Sequence, residues 1–509
     1  MTILNLEMLT QTIITFILAS LMLVCYMAFK KTKHSTTLNL PPGPPTLPVI
    51  GNIHQLAGSV PHRALRDLAK KYGPIMHLKL GNVSTIVFSS PRVAKEILKT
   101  HDIIFADRPK SEYTKIFYYN RTDIASAPYG DYWRQMKKIC ILQLLSEKKV
   151  KSFGSLRDEE LDRLCDSLRS SSGSVVNFTE MIVGLINNII CRATFGNDYK
   201  AQDQIVLIQL IKDLLLTSGA VNVGEFFPRL KFVNVVLGIK SKRLKIHKQL
   251  DKVLEDALED RKGKRNAGME RSDERLVDVL LRIKEEEEVQ FPITLDNIKA
   301  VLLDMFVAGT DTSSATIMWA MAEMMRNQSV LKKAQEQIRE TSRQKVTFTK
   351  NGTNTYPYLK LVIKETLRLH PPAPLLVPRE CRQQCKIDDY DIPAKTKVVV
   401  NAFACALDPE YWEDPESFIP ERFENSCIDF IGNDYEFIPF GSGRRMCPGI
   451  TFGTNSIETT LFELLYHFDW ELPQGMEPKD INMEESHGIT TTLKAPLQLV
   501  PVVHSQPNN

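Results

Sequence analysis

The chain has 509 residues, of which 43% are hydrophobic and 25% charged, the make-up of an ordinary globular protein. A formal net charge of +3 over this length gives no reason to expect nucleic acid as a partner. Nine cysteines, odd in number and without a C-x-x-C pair, fit neither a disulfide framework nor a zinc site coded by spacing.

Residues 8–29 carry no charge and are mostly apolar, and as a helix they would cover a hydrocarbon core of roughly 30 Å. Glu7 precedes the segment, while Lys30, Lys31, Lys33 and His34 follow it, an order that keeps the body on the cytoplasmic side. Without a basic leader in front or small residues for cleavage behind, it reads as an uncleaved single-pass anchor. The N-x-[ST] triplets at Asn82, Asn120, Asn177, Asn327 and Asn351 are then expected to carry no glycans. Residues 30–50 form a basic and Pro-rich strap, with Leu40-Pro41-Pro42-Gly43-Pro44-Pro45 stiff and extended. No comparable linker follows, so residues 51–509 read as one large domain.

In that domain the pattern is mostly helical, broken by Pro and Gly, with strands expected at 84–89 and 397–401. The class is mainly α with a minor β-sheet region. Residues 261–275 are charged and poor in large apolar residues, and read as a solvated loop. Trp133 and Lys137 stand one helical turn apart, a spacing that by itself suits a core residue and a surface one. Residues 297–327 form a long helix that is apolar nearly all round and therefore buried, with Val301, Met305, Ala308 and Thr312 on one face. Asp304 and Asp311 would be costly in a second membrane span, and an acid beside a hydroxyl next to Gly309 is an expensive way to build a core helix.

The E-x-x-R spacing occurs repeatedly. Glu160/Arg163, Glu323/Arg326 and Glu336/Arg339 read as helix-surface pairs worth a few tenths of a kcal/mol. Only Glu365/Arg368 is followed by Leu369-His370-Pro371-Pro372 and later by Phe418-Ile419-Pro420-Glu421-Arg422-Phe423.

The most informative segment runs from Phe440 to Gly449 and reads F-x-x-G-x-R-x-C-x-G, with Gly443, Arg445 and Cys447 at the fixed positions. An apolar helical run follows, so Cys447 is expected at a helix N-terminus with Pro448 as the first helical residue. Free N–H groups and the positive helix end would then favour the thiolate. This pattern resembles the haem-binding loop of cytochromes P450, and the resemblance to plant microsomal members covers essentially the whole chain in the family's order.

The resemblance implies a single haem-thiolate catalytic domain with haem b, its iron ligated by Cys447 and its loop shaped by Phe440, Gly443 and Gly449. Trp133, Lys137, Arg379 and Arg445 match positions that hold the haem propionates. Asp311 and Thr312 match the pair that delivers the protons oxygen activation consumes, and Glu365, Arg368 and Arg422 match a buried structural network. It also implies residence in the endoplasmic reticulum membrane and electrons from NADPH through NADPH-cytochrome P450 reductase. Lys137, Lys138, Lys148, Lys149, Lys151 and Arg444 would form part of the docking face. Pocket positions expected by resemblance are Ile116, Phe117, Leu302, Met305, Phe306, Ala308, Ala373, Leu375, Leu376, Val377, Ile489 and Thr490, mostly apolar, which suits a hydrophobic small molecule. Residues 66–74 and 361–380 are similar to plant terpenoid oxygenases, whose relatives also oxidise alkaloids and phenolics. A haem-thiolate isomerase or dehydratase without a reductase, and a non-catalytic haem protein, remain alternatives. Gln328, where relatives often place proline, and the polar run 451–460 depart from the family's pattern.

Overall fold

The computed structural model describes residues 38–504 apart from 197–200, 220–222, 268–273, 287–289, 344–355 and 487. The expected anchor at 8–29 lies outside the described residues. Among the described residues no helix is long and apolar enough to cross a membrane.

The longer helices are α1 (Pro61–Tyr72), α2 (Asp131–Ile139), α3 (Gly154–Ser170), α4 (Phe178–Phe195), α5 (Ala201–Gly219), α6 (Ile239–Asn266), α7 (Leu276–Glu286), α8 (Leu295–Arg326), α9 (Gln328–Arg343), α10 (Pro357–Leu369) and α11 (Ile450–His467). The strands are β1 (Ile75–Leu80), β2 (Val83–Phe88), β3 (Val176–Asn177), β4 (Arg379–Glu380), β5 (Cys385–Ile387), β6 (Tyr390–Ile392), β7 (Lys397–Val400), β8 (Phe468–Glu471) and β9 (Gln498–Val503). They form a four-stranded sheet in the order β1-β2-β7-β4, a three-stranded sheet β3-β9-β8 and the pair β5-β6. The two strands expected from alternation, β2 and β7, are parallel neighbours, with Thr85 opposite Lys397 and Phe88 opposite Val400. The fold is therefore mainly helical with small sheets.

Helix α8 is the axis of the core. Thr294 and Asn297 close a capping box at its start, giving the first free N–H groups a partner. The helix packs against α4, α10 and α11, which explains why it is apolar nearly all round. Helix α11 tolerates its polar run because Thr454, Ser456, Thr459 and Thr460 each donate to the carbonyl four residues back. Gln328 opens α9 and donates to the carbonyl of Met325, so no proline is needed to end α8.

Two expectations are corrected, those for 261–266 and for the extra E-x-x-R motifs. Residues 261–266 continue α6 rather than forming a loop, because Arg261 is buried and binds the Asp278 carboxylate through Nε at 3.1 Å and through Nη2. The strap, where described, lies on the body: Asn39 pairs with Asp391, and His77 donates to the Pro42 carbonyl at 2.8 Å. The extra E-x-x-R motifs are not plain surface pairs. Glu160 is buried and gathers Arg163, Asn188 and Arg192, Glu323 binds His370 at 2.7 Å, and Arg339 reaches Asp469.

Candidate active site

Helix α8, helix α2, the 373–379 segment and the cysteine loop enclose one cavity. Of the expected site residues, Trp133, Lys137, Met305, Ala308, Thr312, Ala373, Leu376, Val377, Arg379, Phe440, Arg445, Cys447 and Gly449 line it. These positions span more than 300 residues of sequence, so only the fold brings them together.

The cysteine loop differs in detail from its expected form. Helix α11 starts at Ile450 with Gly449 as its cap, so Pro448 lies before the helix. The Cys447 N–H donates to the Phe440 carbonyl at 3.0 Å, and the Gly449 N–H points at the sulfur at 3.3 Å. The Cys447 side chain is exposed, opening into the cavity with protein packed around it. Burial pushes its thiol up, opposed by the Gly449 N–H and by the charge of Lys137. Burial and the Gly449 N–H thus act on the sulfur in opposite directions.

Gly443 does not line the cavity. A Cβ there would stand 2.2 Å from the Leu98 carbonyl oxygen and 2.9 Å from the Asp102 carboxylate, and φ is +71°, so glycine serves the close passage of residues 98–102 behind the loop.

One edge of the cavity is strongly cationic. Arg445 donates to the carbonyls of Ala106, Ile124 and Ala127 and lies 4.1 Å over the Trp133 ring. Trp133 donates to the Ile124 carbonyl at 2.9 Å. Arg379 binds Asp102 at 3.2 Å and the Ser442 carbonyl at 3.1 Å. Lys137 donates to the carbonyls of Arg444 and Met446. Sequence reasoning missed a fourth cation, Arg108, which lines the cavity and donates to the carbonyls of Ala125, Val377 and Pro378. Its partners at 377 and 378 lie about 270 positions along the chain, and nothing local marks it.

Burial, reinforced by neighbouring Arg379, pushes Arg445 down to about 9, and burial with Arg445 brings Lys137 down to about 8. Burial lowers Arg379, and burial with Arg445 and Arg379 lowers Arg108 well below its ordinary value. Four crowded cations facing one cavity favour an anionic ligand.

The helix α8 wall carries Thr312, whose hydroxyl donates to the Ala308 carbonyl at 2.5 Å. Its neighbour Asp311 is not part of the lining. It is half-buried, and burial raises its carboxyl to about 6 against the pull of Lys212. Asp304 does reach the cavity and was not expected there. Its Oδ2 accepts the N–H groups of Ile124 at 2.6 Å and Ala125 at 3.2 Å.

Glu365, Arg368 and Arg422 stand outside the cavity as a buried network. Arg368 grips both oxygens of Glu365 at 2.8 Å, and Arg422 adds a bond to the same carboxylate at 2.9 Å. Arg368 also ties down the carbonyls of Ala406 and Pro415.

Seven expected pocket positions do not line the cavity. Leu302, Phe117 and Phe306 are fully buried in the helical core, the last stacked on Phe195 at 5.5 Å. Ile116 is half-buried on the segment before Phe117, and Leu375 packs against the four-stranded sheet. Ile489 is 60% exposed and Thr490 half-buried beside it. On the helices, one turn presents only one or two side chains to a cavity wall, so neighbours in sequence such as Met305 and Phe306 face different ways.

Comparison with known proteins agrees with this geometry. The family model for cytochrome P450 matches residues 41–499. Costunolide synthase from Cichorium intybus is 55% identical over 97% of this chain and 98% of its own length. Premnaspirodiene oxygenase from Hyoscyamus muticus is 52% identical over 92% of this chain and 94% of its own. Germacrene A acid 8-beta-hydroxylase from Inula hupehensis is 51% identical over 95% and 96%. A zebra fish cytochrome P450 solved with progesterone shares the fold, with a TM-score of 0.74 at 23% identity, covering 87% of this chain and 99% of that chain. With its cysteine loop open to a cavity of cationic edge and apolar wall, this chain belongs to the cytochrome P450 family.

Proposed function

We propose that this chain is a haem-thiolate monooxygenase that uses O2, takes NADPH electrons through a partner reductase, and oxidises a hydrophobic terpenoid. One observation carries the haem assignment: the Cys447 sulfur opens into a cavity whose edge holds Arg108, Arg379, Arg445 and Lys137. A thiolate donor and an edge of guanidinium groups fit a metal macrocycle with two propionates.

When bound, the haem supplies the site of dioxygen activation. The chain's own residues then have separable tasks. Cys447 is the iron ligand, steadied by the Gly449 N–H. The four cations and the Trp133 indole lie where they would hold the propionates. Phe440, Leu376 and Ile457 give the site an apolar lining. Thr312 offers a hydroxyl inside the cavity, and Asp311, one residue before it, can exchange a proton near neutral pH. The Gly309 backbone leaves room for Ile190, which an added Cβ would meet at 2.9 Å.

The terpenoid assignment draws on relatives whose names specify premnaspirodiene and germacrene A acid, and on Met305, Ala308, Ala373, Leu376 and Val377 in the cavity wall. For the reductase partner, support comes from Lys138 and Lys148, which are exposed. Lys137 is turned to the cavity, Lys149 and Lys151 are paired with Glu274 and Glu147, and Arg444 is half-exposed beside Asp102. For residence on the endoplasmic reticulum membrane, support comes from the charge order around 8–29 and from exposed Phe232, Val235, Val236 and Leu237.

Reconstitution with reductase, NADPH and a terpenoid panel tests the reading. The expected result is NADPH-dependent product carrying one atom from labelled dioxygen. Product formed without NADPH would overturn it. For the ligand, Cys447→Ser should abolish the thiolate-type band of the reduced carbon monoxide spectrum, and an unchanged band would refute the assignment.

A further inference from the structure

At the opposite end of α11 from the cysteine loop, three side chains of metal-ligating type meet. Glu463 and His467 lie one turn apart on α11, so both face the same way, and His467 Nε2 stands 3.1 Å from Glu463 Oε2. Helix α3 packs against this face and contributes Cys165, which is buried. The sulfur, a carboxylate oxygen and an imidazole nitrogen all lie within 4.8 Å of one another. Neither helix carries this motif alone, since Cys165 is about 300 residues from the other two.

We propose that Cys165, Glu463 and His467 form a zinc-binding site that joins α3 to α11. The donor set decides the metal class. Calcium and magnesium take oxygen ligands, whereas zinc accepts sulfur, nitrogen and oxygen together in a tetrahedral shell. Three protein donors leave the fourth position to water. Burial, with Glu463 adding to it, pushes the Cys165 thiol up to about 12, so the free site holds a protonated sulfur. Binding replaces that proton: the S–H bond breaks, a zinc–sulfur bond forms, and one proton leaves to solvent.

The site is separate from the catalytic cavity, since none of its three residues lines it. Helix α11 has 18 residues, and at 1.5 Å per residue it spans about 27 Å, with Cys447 just before its start and His467 at its last residue. The metal would therefore act as a clamp between helices rather than as part of the oxygen chemistry.

The experiment uses untagged, haem-loaded full chain in a Cys427→Ser background, which removes an exposed thiol. After chelator treatment, zinc is titrated in competition with a fluorescent zinc chelator. One equivalent is expected to bind, and Cys165→Ala and His467→Gln are each expected to weaken it at least tenfold. The reduced carbon monoxide spectrum confirms that each variant keeps its haem. Zinc K-edge absorption on the parent protein needs no variant at the site and should show one sulfur at about 2.3 Å with nitrogen or oxygen at about 2.0 Å. Undiminished binding in Cys165→Ala, or a zinc shell without sulfur, overturns the proposal.

Discussion

The carboxylate of Asp304 and the backbone N–H of Ile124 meet at 2.6 Å, and this bond ties the long central helix to the loop that holds the cationic edge of the cavity. The Ile124 carbonyl in turn accepts from Trp133 and Arg445. Burial and the neighbouring Asp123 push Asp304 well above the ordinary carboxylate range, so a neutral replacement that keeps the acceptor should be tolerated. Asp304→Asn is expected to retain haem and stability. Asp304→Leu orphans two backbone donors and should cost about 2–4 kcal/mol, with lower haem occupancy, in denaturant unfolding and haem titration.

Breaking the Glu365 network should be more severe. Both charges of Glu365 and Arg368 are fully buried, so removing Glu365 takes away the carboxylate that Arg368 grips, and removing Arg368 leaves Glu365 with Arg422 alone as its cation. Glu365→Ala or Arg368→Ala is expected to cost about 3–5 kcal/mol and to yield protein without haem, measured by thermal unfolding and by the Soret absorbance per chain.

The Asp311 carboxyl is raised to about 6 by burial, and its sign follows from that. The folded state holds this proton more tightly than the unfolded state, so the group stabilises at acid pH and that contribution is lost as pH rises from about 4 through 6. Asp311→Asn should therefore gain stability relative to the parent on going from pH 4 to pH 7, by up to about 3 kcal/mol. In the reconstituted system, Asp311→Asn and Thr312→Val should lower product formation by about 100-fold while NADPH consumption continues. Product yield per NADPH is the measurement, and an unchanged ratio would remove both residues from proton delivery.

Glu485 shows the opposite sign. Burial would raise its carboxyl, but His62 at 3.1 Å and Arg63 at 2.7 Å bring it down to about 2. Its contribution is present above about pH 4.3 and disappears as pH falls toward 2. Glu485→Gln should lose about 2–3 kcal/mol at pH 7 and nothing at pH 2. Chemical denaturation across that range would show it, and the loss would free α1 from the C-terminal part of the chain.

What could be read from the sequence was what depends on neighbours along the chain. The cysteine loop from Phe440 to Gly449 is a local turn with fixed residue types, and α8 is long and apolar enough to announce its own burial. The E-x-x-R spacing was legible as a motif, yet several copies looked alike, and only packing separates the fully buried Glu365–Arg368 pair from Arg339, which turns to Asp469. The cavity wall was the least legible part. Met305 lines it and Phe306 does not, because the helix turns about 100° between them and the next helix decides which side is inside. Arg108, Asp304 and the meeting of Cys165 with Glu463 and His467 needed the tertiary structure outright. Each depends on a partner far away in sequence, and side-chain contacts at that separation are set by how helices pack rather than by any pattern along one of them.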